Sequence, residues 1–228
     1  MEWKVIARIH NDYTEKFGVP RQSGLVPDLI SRVIFEPEYR DPSALMGIEE
    51  YSHLWLIWEF SQAVRKDFSP TVRPPRLGGN ERKGVFATRS PFRPNPIGLS
   101  CVSLLAVEKT QDEGNVLIVG GADLMNDTPI YDIKPYLPYS DALPEAKSGF
   151  TGSLKDKRLT VRIPQNELDR LPKASRKALE GVLSLDPRPR YQDDPERIYG
   201  MDYAGFNVRF RVEQDTVYVL TIRRRELL

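Results

Sequence analysis

Pro91, Pro94 and Pro96 punctuate the stretch Gly-Val-Phe-Ala-Thr-Arg-Ser-Pro-Phe-Arg-Pro-Asn-Pro-Ile-Gly-Leu-Ser at 84–100. No other stretch limits the fold as strongly. Each proline fixes its own φ and turns the residue before it away from the helical region. That predicts extended backbone at Ser90, Arg93 and Asn95. Because proline donates no backbone hydrogen bond, this cannot be a central strand. Val85–Thr88 reads as the end of a strand, followed by a rigid loop that holds Arg89, Arg93 and Asn95 at set angles. Gly98 then permits a turn into the apolar run Leu99–Val107. Fixed polar side chains on a stiff loop suit recognition. The plain alternative is a proline-braced surface turn.

A net charge of +1 over 228 residues excludes a global attraction to polyanions, so any nucleic-acid surface must be a local patch. One lies in the sequence. Between Thr71 and Ser100 stand Arg73, Arg76, Arg82, Lys83, Arg89 and Arg93, against Glu81 alone. A charge cluster is usually a solvated face. Here the arginines sit on proline-braced segments, which limits the entropy lost on binding, and arginine presents a two-pronged fork to phosphate. An anionic ligand is the expectation. Cys101 is the lone cysteine, inside an apolar run, and His10 and His53 have no metal-binding spacing. A disulfide, a cysteine-based zinc site and metal catalysis are therefore not expected. With no leader pattern and no apolar run of spanning length, the expectation is a cytoplasmic protein without a membrane partner.

Along the chain, Lys4–His10, Ser31–Glu36, His53–Phe60, Leu99–Val107 and Val116–Gly120 read as strands, and Pro42–Ile48 as a short helix or turn. Arg21 and Gln22 occupy a loop anchored by Pro20. Ser61 and Gln62 follow the aromatic strand at 53–60. Gly120 and Gly121, ahead of Ala122 and Asp123, allow a ligand close to the backbone without forming a dinucleotide fingerprint. Asp132 and Lys134 are two apart and share one face of an extended chain. An exposed ion pair is the plain reading of them. Pro138–Gly152 reads as a linker. Beyond it come a strand at Leu159–Ile163, an amphipathic helix at Lys173–Leu185 ended by Asp186-Pro187, and a hairpin of Phe206–Val212 with Thr216–Ile222. A third stiff basic loop, Asp186-Pro187-Arg188-Pro189-Arg190-Tyr191, lies between helix and hairpin.

Three stretches together carry a resemblance. They are Ala87–Gly98, then Thr128-Pro129-Ile130-Tyr131-Asp132-Ile133-Lys134-Pro135-Tyr136, then Asp186–Pro189 with Phe206-Asn207-Val208. The chain resembles the TsaA-like family of tRNA methyltransferases in its bacterial two-domain form, nearly end to end. The resemblance implies an α+β, mainly β fold: a single-sheeted β-barrel at 1–145 and a small α+β C-terminal domain at 153–228. It implies a homodimer, S-adenosylmethionine as methyl donor, and methylation of N6 of threonylcarbamoyladenosine beside the tRNA anticodon. Family cofactor contacts map to Pro20, Arg21, Gln22, Ser61, Gln62, Arg89, Leu99, Gly120, Gly121, Ala122 and Asp123. Within this reading Asp132, Lys134 and Tyr136 are the catalytic candidates, and Arg73, Arg76, Arg93, Asn95, Arg188 and Arg190 the tRNA contacts. The alternatives are a non-catalytic RNA-binding module using the same loops, or a hydrolase, which the absence of a nucleophile–histidine pair disfavours. One position departs from the family pattern: Asp127 stands where Asp-Gly-Thr-Pro has glycine. If that turn needs φ > 0, aspartate tolerates it better than most residues.

Overall fold

The computed structural model describes residues 3–63, 67–74, 77, 81–152, 158–188 and 194–225. In the first part, the strands are β1 (Ala7–His10), β2 (Ile30–Phe35), β3 (His53–Glu59), β4 (Thr71–Val72), β5 (Lys83–Gly84), β6 (Ile97–Thr110), β7 (Gly114–Gly120) and β8 (Pro129–Pro135). All but the β4–β5 ribbon form one closed ring in the order β1-β2-β7-β6-β3-β8. The ring closes where β8 returns to β1, with Ala7 opposite Ile130. Alternation decides which side chains fill it. Leu54, Leu56 and Trp58 of β3 point inward with Val102 of β6, Val33 of β2 and Ile130 of β8. Trp58 plugs one end against Phe60, and a side chain at Gly98 would drive into its indole at 2.2 Å. A rigid ring cannot yield as a flexible chain end does, so only glycine fits there.

The second part holds β9 (Thr160–Arg162), a short α2 (Gln165–Leu168), α3 (Lys173–Ser184), β10 (Tyr199–Tyr203), β11 (Phe206–Glu213) and β12 (Thr216–Arg224). Its sheet runs β10-β11-β12-β9, with β9 parallel to β12. The apolar stripe of α3, Ala178, Leu179, Val182 and Leu183, packs on Met201, Phe210 and Ile222.

This second core is completed from outside. The segment joining β1 to β2 contributes Tyr13, Val26 and Leu29 to it, with Phe17 and Val19 alongside. Burying a side chain of this size is worth about 1.5–3 kcal/mol. Polar contacts follow the same path. Glu15 accepts from the Asp202 N–H at 2.8 Å, the Leu25 carbonyl accepts from Arg158 at 2.7 Å, and Lys177 pairs with Asp28 at 2.8 Å. The segment that carries Pro20, Arg21 and Gln22 is therefore held by the second part of the chain.

Three expectations are corrected. Val85–Ala87 is a 3-10 turn and not the end of a strand, because the preceding strand β5 stops after pairing with the two residues of β4. The 138–152 stretch is not simply a linker. It opens with a short helix, α1 (Pro138–Asp141), whose Asp141 accepts from the indole of Trp55 and the N–H of Leu137, both at 2.9 Å. The strand beginning near 99 starts earlier and runs further, through Ile97–Thr110. Asp127 lies in the left-handed region, at φ 63°, with its carbonyl accepting from Arg8. Aspartate thus takes the positive φ at this position itself.

Candidate functional site

The proline-rich loop is fixed by short local bonds. The Arg93 N–H donates to the Pro91 carbonyl and the Ile97 N–H to that of Asn95, each at 2.8 Å. Arg93 turns its guanidinium back onto the Thr88 carbonyl at 2.8 Å. The loop so formed holds Arg89 at its start, exposed, with a guanidinium nitrogen donating to Gln22 Oε1.

Asp123 lies on the other side of that contact. Its Oδ1 accepts from the Ser100 hydroxyl at 2.5 Å, and Ser100 in turn accepts from the Trp58 indole at 2.9 Å. Burial pushes the Asp123 carboxyl above its usual range, opposed by the bond from Ser100, by the charge of Arg89 and by the Ser23 backbone N–H. The 20–24 segment is tied to the same place. Ser23 Oγ accepts from the Cys101 N–H at 3.1 Å, and the Gly24 N–H donates to the Gly121 carbonyl at 2.8 Å. Gln22, Arg89, Ser100 and the turn at 120–123 thus converge, although they are far apart in sequence. A cavity of about 340 Å³ opens beside them, lined by Ser23, Gly24, Pro27, His53, Cys101, Ser103, Gly120 and Gly121. Its size is that of a small-ligand site.

The remaining residues of the predicted cofactor set fall as follows. Pro20 is buried, and Arg21 is exposed with a bond to the Asp186 carbonyl at 3.2 Å. Ala122 is buried in the ring's core. Leu99 is 53% exposed on the outer face, leaving a large apolar side chain for a ligand to cover. Ser61 and Gln62 are exposed just past β3, where the Phe60 N–H donates to the Pro96 carbonyl.

Strand register relates Asp132 and Lys134 to this cluster. Asp132 is opposite Ile57 and Ile57 opposite Leu99; Lys134 is opposite Trp55 and Trp55 opposite Cys101. Two strand spacings, about 10 Å, separate Asp132 from Leu99 on the same outer face. Lys134 Nζ pairs with Asp132 Oδ2 at 2.7 Å, and Asp132 Oδ1 accepts from the Ile133 N–H at 2.9 Å. Tyr136 packs on Trp55 and meets His53 edge-on, in the next row. Nearby Tyr131 bonds Glu59, and burial together with that carboxylate pushes its phenol up to about 12. A phenol there keeps its proton at neutral pH.

The expected phosphate contacts are less alike than the sequence suggests. Arg73 and Asn95 are exposed. Arg93 is tied to backbone carbonyls. Arg188 forks onto Asp186 at 2.8 and 3.0 Å with only 10% of its side chain exposed. Arg76 and Arg190 lie outside the described residues. A histidine–hydroxyl pair does exist: His53 Nε2 is 3.3 Å from Ser103 Oγ. The other ring nitrogen faces Ser52 Oγ and not a carboxylate, so the pair lacks the group that would orient a base. Ser23, Ser100 and Trp58 escape sequence reasoning, since only the fold brings them to Asp123. Ser100 sits one residue beyond the exposed Leu99, and strand alternation is the signal that could have turned it inward.

A closed strand ring whose loops converge on a half-buried carboxylate and an exposed arginine, with one loop gripped by a second small unit, defines a two-part, mainly β ligand-binding protein. Residues 8–142 match the family model described as the tRNA-methyltransferase O N-terminal domain, and residues 156–225 match the TrmO C-terminal domain. The chain belongs to the tRNA-methyltransferase O family. It is 40% identical over 232 residues to a tRNA (adenine(37)-N6)-methyltransferase of Escherichia coli K12, covering 98% of each chain. A protein of the same name from Eikenella corrodens is 46% identical over 72% of this chain and 92% of its own. A crystal structure of TrmO from Pseudomonas aeruginosa superposes with a TM-score of 0.80 at 31% identity, covering 99% of this chain and 97% of the other.

Gly181 offers a direct test of the grip on the 20–24 segment. A methyl group there would meet Val26 at 2.7 Å. Alanine favours the helix by about 1 kcal/mol, so the second part should stay folded while Val26, and Ser23 with it, is displaced. Gly181→Ala is expected to raise the calorimetric Kd for S-adenosylhomocysteine about three- to tenfold with little change in Tm. Unchanged affinity would mean that the second part does not set this segment or that the segment does not touch the ligand.

Proposed function

We propose that the protein transfers a methyl group from S-adenosylmethionine to N6 of threonylcarbamoylated adenosine in tRNA, next to the anticodon. The observation that supports this most is the convergence of Gln22, Arg89 and Asp123 beside Leu99 and Ser100, with the Asp132–Lys134 pair lying on the outer-face row that passes through Leu99. On this reading, residues 1–145 are the methyltransferase domain, with the strand ring as the family's single-sheeted barrel, and 153–228 an added tRNA contact. The active form is a cytoplasmic homodimer.

The residues fit the methyl donor. Arg89 and Arg21 suit its carboxylate, Asp123 its hydroxyls or amine, and Leu99 its adenine face. The bound donor supplies an electrophilic methyl group on a sulfonium. The acceptor nitrogen carries a carbonyl substituent that delocalises its lone pair. Asp132 would take the N6 proton as the N–C bond forms and the methyl–sulfur bond breaks, leaving the donor as the neutral thioether, and Lys134 would turn to the carbamoyl oxygen, where negative charge develops. Tyr136, beside Trp55, stacks on the exposed base. Arg73, Arg76, Arg93, Asn95, Arg188 and Arg190 hold the anticodon arm, Arg93 from its place on the Thr88 carbonyl and Arg188 once it turns from Asp186.

Incubating the protein with S-adenosylmethionine and tRNA that carries threonylcarbamoyladenosine tests this. Nucleoside mass spectrometry should show that nucleoside gaining one methyl group, and unmodified adenosine unchanged. If the threonylcarbamoyl nucleoside gains no methyl, the proposed activity is wrong.

A further inference from the structure

Phe68 and Phe86 belong to neither core. They are 56% and 71% exposed, yet their rings stack on each other, with centroids 6.4 Å apart and planes 27° apart. The β4–β5 ribbon brings them together: Phe68 lies just before it and Phe86 just after, and the Val85 N–H donates to the Pro70 carbonyl at 2.9 Å. Arg93 lies 5.7 Å from the centre of the Phe86 ring, its guanidinium held in place by the Thr88 carbonyl. Ring and cation are therefore fixed before any ligand arrives, which limits the ordering cost of binding.

The surroundings are mostly cationic, with Asp67 and the Lys83-paired Glu81 as the acids nearby in sequence. Arg82 donates to Thr71 Oγ1 at 2.9 Å on the ribbon itself, and Arg73 and Arg89 are exposed on either side in sequence. Such a surface fits a ligand with a flat apolar face inside an anionic frame. An unpaired nucleotide has both, since every base has a π-face and its backbone carries phosphate. The place is also right. Phe86 is three residues from Arg89, which is about 11 Å of chain at most, and Arg89 touches Gln22.

We propose that Phe86, backed by Phe68 and Arg93, is a stacking platform for an unpaired base of the anticodon loop, flanking the base that receives the methyl group. This rests on the tRNA reading above. The platform holds the loop splayed, so that the neighbouring base reaches Asp132 and Lys134 unstacked.

The test uses the full chain and an anticodon stem-loop RNA that carries threonylcarbamoyladenosine, with Kd read by fluorescence anisotropy across salt concentrations. Phe86→Ala is expected to raise Kd about ten- to a hundredfold, the range for removing one stacking ring. The slope of log Kd against log salt should not change, because stacking releases no counterions. Calorimetric affinity for S-adenosylhomocysteine should be unchanged, and Phe86→Trp should retain RNA affinity. Phe68→Ala should give a smaller loss in the same direction. Kd within twofold of wild type for both alanine variants would overturn the proposal. So would a Phe86→Ala protein that light scattering shows has fallen from dimer to monomer, which would make the patch a contact between copies. If the wild-type protein binds no RNA, the tRNA reading itself falls and the platform with it.

Discussion

Asp132→Asn is expected to slow single-turnover methyl transfer by about a hundredfold or more, while cofactor and RNA affinities stay within about twofold. The substitution is mild in every other respect. Asparagine retains the oxygen that accepts from the Ile133 N–H and loses the 2.7 Å pairing with Lys134. That pair is partly exposed, 41% for Asp132 and 61% for Lys134, and pairs of this kind contribute little to stability. Folding is therefore not what the variant tests. A base must hold the proton that leaves the acceptor nitrogen, and the amide of asparagine cannot. A rate within a few fold of wild type would show that Asp132 only steadies Lys134. Methyl transfer would then depend on positioning, which by itself can supply about 7–11 kcal/mol in well-oriented systems.

Arg89→Ala is expected to weaken binding of S-adenosylmethionine about thirtyfold, or about 2 kcal/mol, the size of a hydrogen bond to a charged group. Titration calorimetry reads it, and unaltered affinity removes Arg89 from the site. A second effect comes through Asp123. Its pKa is raised in the folded protein, so the folded chain holds that proton more tightly than the unfolded chain does. The stability this contributes is complete below the ordinary carboxylate range and is lost as pH rises through the raised value. Binding has the opposite sign. A donor bearing a sulfonium and an ammonium prefers the ionised carboxylate, so affinity falls as pH drops through the same raised value. Arg89 opposes that rise, and without it the carboxyl moves further up. The acid limb of the affinity profile should therefore shift to higher pH in Arg89→Ala. An unshifted limb would mean that the two groups do not interact.

Much of the ring was legible because its strands follow a period of two. His53–Phe60 reads as a buried aromatic strand, and β3 covers His53–Glu59 with Leu54, Leu56 and Trp58 inward. The same period puts Asp132 and Lys134 on one face, and β8 keeps them there. The proline-rich loop falls outside the strands, as its missing N–H groups require. Errors arose where local pattern and tertiary contact disagree. Val85-Phe86-Ala87-Thr88 looks β-like, but β5 has no partner beyond the short β4, so the chain turns. Arg188 reads as a free cation, whereas Asp186, two residues before it, lies at φ 52° and holds its guanidinium.

The sequence by itself determined the strand pattern, the stiffness of the 88–96 loop, the local cationic stretch and the shared face of Asp132 and Lys134. Each follows from spacings of a few residues. Tertiary structure alone decided that Gln22, Arg89, Ser100 and Asp123 share one site, and that the second part of the chain supplies the wall on which Tyr13, Val26 and Leu29 rest. It also decided that Asp123 is withdrawn from full contact with water and that Phe68 and Phe86 meet on the surface. The physical reason is range. Backbone preferences act between neighbours along the chain, whereas burial, charge pairing and ring contact depend on which distant segments the closing of the strand ring brings to one end.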